Sequence, residues 1–135
     1  YGDGKLFSSV TKPLVGLKNV KLHKKFLSQK EIAELHKKNG IMLIPTRQDA
    51  QGVSMCEAMM SGLVPITSNN TAIPEYANKD CGYLTNNYHE LAEAIKELYN
   101  NPKIFSEKSR NAHEFIKEKC SQNIVIQKEI NIIKR

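Results

Sequence analysis

Tryptophan is absent from this chain of 135 residues, and cysteine is scarce. The three cysteines, Cys56, Cys81 and Cys120, form no Cys-x-x-Cys pair, and their spacing to the four histidines is not that of a metal site. This pattern favours neither a zinc site nor a disulfide framework. A sparse, odd cysteine count is typical of a reducing compartment, so we expect a cytoplasmic protein without a bound metal.

Long apolar runs are missing as well. No stretch approaches the roughly 20 apolar residues of a membrane helix, and the first residues lack the order of a secretory signal. The composition, 40% apolar and 25% charged, is that of a globular protein, so we expect one domain over residues 1–135. The glycine turn in "YGDGKLF" is of the kind that follows a buried strand, and none precedes it here. We therefore expect a fragment of a longer chain.

The formal net charge of +6 raises the question of an anionic partner. The lysines are spread over residues 18–38 and 103–119, mostly beside glutamates in helical stretches and without interleaved aromatic residues. This distribution is typical of a solvated helix surface, with a membrane-facing or polyanion-facing patch as the alternative. A nucleic-acid binder rests on net charge alone, and we expect no nucleic-acid partner.

Alternating local patterns indicate the fold class. "SQKEIAELHKKNG" opens with a capping box at Ser28 and Glu31 and predicts a helix. "IMLIP", residues 41–45, predicts a strand buried on both faces. "GVSMCEAMMSG" then predicts a helix over residues 53–61 that ends at Gly62, and "LVPITS" predicts a second strand. A strand, helix, strand unit implies a parallel sheet with helices on its faces.

The second half of the chain contains helical patterns. "YHELAEAIKELYN" and "PKIFSEKSRNAHEFIKEK" repeat apolar residues at helical spacing and predict two covering helices. The tail "NIVIQKEINIIKR" fits a strand or a helix, and its polar interruptions favour the helix. The sequence as a whole predicts an α/β fold, a Rossmann-like parallel sheet in three layers.

The loop after the first strand is the candidate site. In open α/β sheets, ligands bind beyond the carboxyl ends of the strands, where loops lead into helix N-termini. Gly52 has no Cβ to keep an anion from the backbone. The free N–H groups of Val53, Ser54 and Met55 would carry the positive end of the helix dipole. These residues predict an anion pocket.

Two acids flank this pocket. Glu57 lies one turn after Val53, on the face that looks back toward the helix N-terminus, and Asp49 lies before the helix. A ligand with a central diphosphate and hydroxyl-bearing groups at both ends would match them. The alternative is that the acids only complement the helix dipole or pair with surface lysines.

The segment "IMLIPTRQDAQGVSMCEAMMSGLVPITSNNTAIPEYA" resembles the donor-binding motif of retaining glycosyltransferases with the GT-B fold, in particular family 4, the glycosyl transferases group 1. That motif usually reads Pro-Ser-x-x-Glu-x-x-Gly, four residues, Glu-Ala-Met-Ala-x-Gly-x-Pro-Val. "GDGKLF" and "FLSQKEIAELHKKNGIMLIP" resemble the family's Gly-x-Gly turn and next helix and strand. The residues on the pattern are Pro45, Gly52, Glu57, Ala58, Met59, Gly62, Pro65, Pro74 and Glu75.

The resemblance, which spans residues 2–84, implies a function for the whole enzyme. It implies transfer of a sugar from a nucleoside-diphosphate sugar to an acceptor hydroxyl with retention, and no further cofactor. The chain would be part of the C-terminal donor domain. A missing N-terminal domain would bind a carbohydrate or lipid-linked acceptor. Family habits suggest surface polysaccharide or glycolipid biosynthesis in the cytoplasm, with peripheral contact to the inner face of the membrane.

The resemblance also implies roles for single residues. In the family, the second acid binds the ribose hydroxyls and the first contacts the transferred sugar near the reacting carbon. These roles fall on Glu57 and Asp49, the predicted catalytic residues, while Gly52, Val53 and Ser54 would hold the diphosphate.

Basic residues would help the helix N–H groups to stabilise the negative charge of the departing diphosphate. Arg47, in the loop before the helix, is the candidate cation, although an exposed loop arginine is also common at a surface without a ligand. Lys24 and Lys25, expected at the end of a preceding strand, are weaker candidates.

The chain also departs from the family pattern. Asp49 replaces a glutamate, and Thr71 and Ala72 replace two glycines, which would narrow the pocket near the sugar. Two other functions therefore stay open: a non-catalytic nucleotide-sugar-binding module and a sugar-nucleotide epimerase of similar architecture.

Overall fold

The computed structural model describes residues 1–134. The contacts within the chain divide it into two compact units, Tyr1–Leu35 and His36–Arg135. The assignment of residues 1–135 to one nucleotide-sugar-binding domain stays a prediction. Among the described residues, none of the helices combines the length and the apolar character of a membrane span.

The first unit contains short helices. These are α1 (Phe7–Thr11), a 3-10 turn (Lys12–Leu14) and α2 (Gln29–His36), whose last residue belongs to the second unit. The predicted capping box of α2 is confirmed: the Ser28 N–H donates to the Glu31 carboxylate at 2.8 Å, and the Glu31 N–H donates to the Ser28 hydroxyl at 3.3 Å. The Lys25 ammonium, 2.8 Å from Glu31, and the Ser28 donors lower the pKa of the Glu31 carboxyl to about 2.

The strand expected to end at Lys24 is not present, so that prediction is wrong. The backbone there makes isolated hydrogen bonds, such as the one from the Gly2 N–H to the His23 carbonyl at 3.2 Å. A strand forms only where a partner supplies a continuous ladder of hydrogen bonds, and none pairs with this segment in residues 1–134.

The second unit contains a parallel sheet flanked by helices, which confirms the predicted fold class. Its strands lie in the order β1-β2-β3, with Ile41 opposite Val64 and Ile66 opposite Tyr83. The elements in chain order are β1 (Ile41–Ile44), α3 (Val53–Met60), β2 (Val64–Ser68), α4 (Ile73–Tyr76), β3 (Tyr83–Thr85), α5 (Tyr88–Asn100), α6 (Pro102–Cys120) and α7 (Gln122–Ile133).

Buried side chains form two clusters. The larger one includes Met55 and Met59 of α3 together with Ile116 of α6. The other joins Val64 and Ile66 of β2 to buried residues of α5. The central strand β2 is therefore buried, as a continuous apolar run in a parallel sheet predicts.

Three further predictions have mixed outcomes. The tail forms the helix α7, as expected. The prediction that β1 is buried on both faces is wrong, because β1 is an edge strand of the described sheet and the Leu43 side chain is 47% exposed. At the end of α3, Gly62 adopts φ +82° and the Leu63 N–H bonds to the Ala58 carbonyl at 3.0 Å, the expected glycine stop.

Candidate functional site

Gly52 stands at the start of α3 in a left-handed conformation, with φ +70°. A Cβ on this residue would lie 3.0 Å from Ile73 Cδ1 and 3.3 Å from Met55 Cε, two core side chains. Glycine is therefore required by the backbone angle and by close packing on the core. This differs from the reason expected from the sequence, because the missing Cβ faces the core.

The exposed face of α3 brings three predicted site residues together. Val53 is 56% exposed, Ser54 is exposed and Glu57 is half-buried. Glu57 follows Val53 by four residues and Ser54 by three, so the three lie on one face of the helix. No side chain caps the helix, and within residues 1–134 nothing accepts a hydrogen bond from the Val53 and Ser54 N–H groups or pairs with the Glu57 carboxylate.

Asp49 closes the loop in front of α3. Its Oδ1 accepts hydrogen bonds from the Gln51 N–H at 3.0 Å and from the Gly52 N–H at 2.6 Å. Its Oδ2 has no hydrogen-bond partner in the described part of the chain. One oxygen is therefore used for the loop, the other is available to a ligand, and the Gly52 N–H is already occupied.

Thr71 binds the backbone of this loop, although it lies 22 residues downstream. Its hydroxyl donates to the Asp49 carbonyl at 2.9 Å and accepts from the Asp49 N–H at 3.1 Å. Thr71 adopts φ +46°, a left-handed conformation that glycine adopts readily, at a position where the motif that the segment resembles would have glycine. Sequence reasoning missed this contact, because it depends on how two loops meet.

Asn70 holds the same loop. Its side-chain amide donates to the Thr46 carbonyl at 2.8 Å and to the Arg47 carbonyl at 3.1 Å. The Arg47 guanidinium is exposed and has no partner within residues 1–134. The other basic candidates lie in the first unit, where Lys24 is 3.9 Å from Asp3 and Lys25 pairs with Glu31.

A cavity of about 460 Å³ opens at the carboxyl edge of the sheet. Its lining comes from residues 45–47 after β1, 68–70 at the end of β2 and 85–88 at the end of β3, with Leu91 of α5. Arg47 is the one predicted site residue in this lining. Sequence reasoning missed the asparagines, although "ITSNN" and "YLTNN" both place an Asn-Asn pair directly after an apolar strand.

The N-terminus of α5, beside the cavity, is closed by its own side chains. Asn87 Oδ1 accepts from the N–H groups of His89 and Glu90, both at 3.0 Å. The Glu90 carboxylate in turn accepts from the Asn86 N–H at 2.8 Å and from the Asn87 side-chain amide at 2.9 Å. The His89 and Glu90 N–H groups are therefore used within the cap, and a carboxylate lies beside them.

The cysteines are free thiols. Burial, together with the neighbouring Cys120, raises the pKa of the Cys56 thiol to about 11. Although it adjoins Glu57, Cys56 is therefore protonated at neutral pH and is a poor nucleophile. The described residues contain no group of three or more His, Cys, Asp or Glu side chains that could hold a metal ion.

The family model described as Glycosyl transferases group 1 matches residues 9–119. The match includes β1, α3 and β2 and continues through most of α6, well past the segment whose motifs carry the resemblance. No curated protein matches the chain.

Proposed function

Because the chain belongs to the glycosyl transferases group 1 family, which implies glycosyl transfer from a nucleotide-sugar, we propose that it binds the donor of an enzyme that transfers the sugar with retention. In this proposal the acceptor is a carbohydrate or a lipid-linked glycan held by a further domain. The pathway is surface polysaccharide or glycolipid synthesis. The reaction takes place in the cytoplasm, at the inner face of the membrane.

The observation that carries the proposal is the open N-terminus of α3. The Val53 and Ser54 N–H groups face no acceptor in the described chain, and Val53 is exposed beside them. Unpaired N–H groups at the positive end of a helix dipole form a binding site for a diphosphate. Gly52 sets the direction in which the chain enters this turn.

In this proposal the two acids accept hydrogen bonds from the hydroxyl groups on either side of the diphosphate. Glu57 shares the exposed face of Val53 and Ser54, which supports its assignment to the ribose. Asp49 keeps Oδ2 available on the loop before the helix, which supports its assignment to the transferred sugar. A carboxylate is a strong acceptor for a hydroxyl group.

The reaction breaks the bond between the anomeric carbon and a diphosphate oxygen, and the nucleoside diphosphate leaves with the electron pair. The acceptor oxygen forms the new bond on the same face of the sugar, and its proton passes to the departing diphosphate oxygen. Positioned dipoles and cations lower this barrier most, because negative charge develops on the diphosphate. In this proposal the α3 N–H groups and Arg47 stabilise that charge, and Asp49 stabilises the positive anomeric carbon.

A non-catalytic nucleotide-sugar-binding module is the second candidate. It is favoured by the short Asp49 side chain, one of whose oxygens is used within the loop. A panel of nucleotide-sugars tested by thermal shift on the full-length protein addresses binding, because a ligand that binds the native state raises the melting temperature. Donor hydrolysis or transfer by the same protein then separates the enzyme from the module.

We predict that Glu57→Ala in the full-length protein weakens binding of the best nucleotide-sugar. Loss of hydrogen bonds to a charged group costs about 1.5–3 kcal/mol, which is roughly 10- to 150-fold in Kd. Isothermal titration calorimetry measures this change. Glu118→Ala, at an exposed glutamate of α6, is the matched control and should bind as the wild type does. Unchanged affinity in Glu57→Ala would remove Glu57 from the ribose site.

We predict that Asp49→Asn lowers kcat more than it changes nucleotide affinity. Asparagine keeps an oxygen that can accept from the Gln51 and Gly52 N–H groups but loses the charge near the anomeric carbon. Steady-state kinetics and nucleotide titration separate the two effects. Wild-type turnover in this variant would mean that Asp49 serves only the loop.

A further inference from the structure

We propose that the cavity at the carboxyl ends of the three strands binds a neutral saccharide unit. Under the proposed function, on which this assignment rests, the unit is the part of the acceptor glycan that extends onto this cavity from the further domain that holds the rest. The donor would lie on α3, because Val53, Ser54 and Glu57 are not part of the cavity lining. The cavity is therefore a second binding site in the same unit.

The size and place of the cavity fit a ligand. Its volume of 460 Å³ lies within the range of about 300–1,000 Å³ that is usual for small-molecule sites. It opens at the carboxyl edge of a parallel sheet, the edge at which α/β proteins bind their ligands.

The strand ends that carry the lining are fixed. The Asn69 N–H donates to the Thr85 carbonyl at 2.9 Å, and the Thr85 hydroxyl donates to the Thr67 carbonyl at 2.9 Å. The side-chain amide of Asn69 also reaches Asn86 Oδ1 at 3.4 Å, which links the ends of β2 and β3. A site on such elements is organised before its ligand arrives.

The free polar groups of the lining suit hydroxyl groups. Within residues 1–134, the Ser68 hydroxyl and Asn69 Oδ1 have no hydrogen-bond partner. They offer one group that donates and accepts, and one acceptor. A sugar hydroxyl both donates and accepts, so each of these groups can pair with one.

The lining of the cavity carries little charge. Arg47 is the one charged residue in it, and the Glu90 carboxylate lies beside the lining on Asn86 and Asn87. Two N–H groups that a phosphate could use at the start of α5, those of His89 and Glu90, already bind Asn87 Oδ1. A phosphate there would also lie close to the Glu90 carboxylate, a repulsion that a neutral ligand does not meet.

An aromatic side chain completes the site. Tyr88 lines the cavity, is 75% exposed, and has its ring centroid 4.0 Å from that of His89. An exposed tyrosine offers an apolar ring face and a polar tip, which complement the C–H face and the hydroxyl groups of a pyranose. Leu91 adds apolar surface next to it.

The test uses the full-length protein and three neutral probes: the methyl α-glycosides of glucose, galactose and mannose. Saturation-transfer NMR should detect at least one of them, with and without saturating nucleoside diphosphate. Ser68→Ala and Asn69→Ala should each weaken binding of the detected glycoside by about two- to tenfold, the effect of one lost hydrogen bond. Tyr88→Ala should abolish the saturation-transfer signal of that glycoside. Tyr99→Ala, at the other exposed tyrosine of α5, is the matched control and should bind normally.

Three results would overturn the site: no probe binds the wild type, the lining variants bind as well as the control, or nucleoside diphosphate displaces the probe. Thermal unfolding checks that each variant is folded. Glu57→Ala should keep saccharide binding while it loses nucleotide affinity. Saccharide binding without any nucleotide-sugar binding supports the cavity and overturns the proposed function, whereas the reverse overturns the cavity alone.

Discussion

Thr71 carries a backbone conformation that costs free energy. Its φ of +46° lies in the left-handed region, where a β-branched residue is strained by about 1–3 kcal/mol. Its hydroxyl makes two hydrogen bonds to the backbone of Asp49, which offset that strain. The side chain thus fixes the loop that carries Arg47 and Asp49 in front of α3.

We predict that Thr71→Val lowers the free energy of unfolding by about 1–3 kcal/mol, because valine keeps the strain and leaves the Asp49 N–H and carbonyl without their partner. Thr71→Gly removes strain and hydroxyl together and should lose less, and Thr71→Ser should stay near the wild type. Urea unfolding measures all three. If the valine variant equals the serine variant, the hydroxyl does not hold the loop.

At the level of elements, α5 depends on its N-cap. Asn87 accepts from the His89 and Glu90 N–H groups in the first turn of this 13-residue helix, and Glu90 reaches back to the chain before it. Loss of an N-cap side chain typically costs about 1 kcal/mol.

We therefore predict that Asn87→Ala lowers the free energy of unfolding by about this amount in urea titrations. Asn87→Ser should retain most of it. Asn100→Ala, at the other end of α5, should have little effect, and an equal loss there would contradict the cap.

Elements that depend on local patterns could be predicted from the sequence. The capping box of α2 and the glycine stop after α3 need only residues a few positions apart, and both are present. The exposure of Leu43 and the missing strand before Lys24 could not be predicted, because each depends on which segments lie alongside in the sheet. An apolar run shows which side chains of a strand could be buried, but the adjacent strands and helices determine which of them are buried.

The candidate site likewise contains contacts that the sequence predicts and contacts that it does not. The contact between Asp49 and Gly52 joins residues three apart and follows from loop chemistry. The contact of Thr71 with Asp49 and that of Asn69 with Asn86 bridge 22 and 17 positions. They exist because β2 pairs with both of its neighbours, which aligns three strand ends at one edge. The Asn-Asn pairs are visible in the sequence, but their shared cavity requires the strand order.

At the scale of the whole molecule, three buried or half-buried groups have pKa values shifted in the same direction, upward. Burial raises the pKa of Cys56 to about 11, from an ordinary 9.0, and also raises that of Cys81. Burial, followed by the nearby Glu97 carboxylate, raises the pKa of Tyr83 to about 12, from 10.0. The Tyr83 hydroxyl is buried and, within residues 1–134, no group has hydrogen-bond geometry to it.

These pKa values set the sign of a stability change. The unfolded chain loses the protons at lower pH than the folded chain, so the stability they contribute is complete below pH about 9. It is lost as the pH rises through about 9 to 11 for Cys56 and about 10 to 12 for Tyr83. We predict that the free energy of unfolding, measured in urea with a thiol reductant, declines across this window.

Tyr83→Phe isolates the tyrosine's share of that decline. Phenylalanine removes the titrating proton and also a buried hydroxyl without a partner, so the variant should equal or exceed the wild type in stability at neutral pH. Above pH about 10 its curve should fall less steeply. Tyr99→Phe, at a tyrosine that is 84% exposed, controls for lysine titration and for the loss of a phenol. Because both variants share every other titrating group, parallel curves for the two would mean that burial of Tyr83 does not couple folding to its proton.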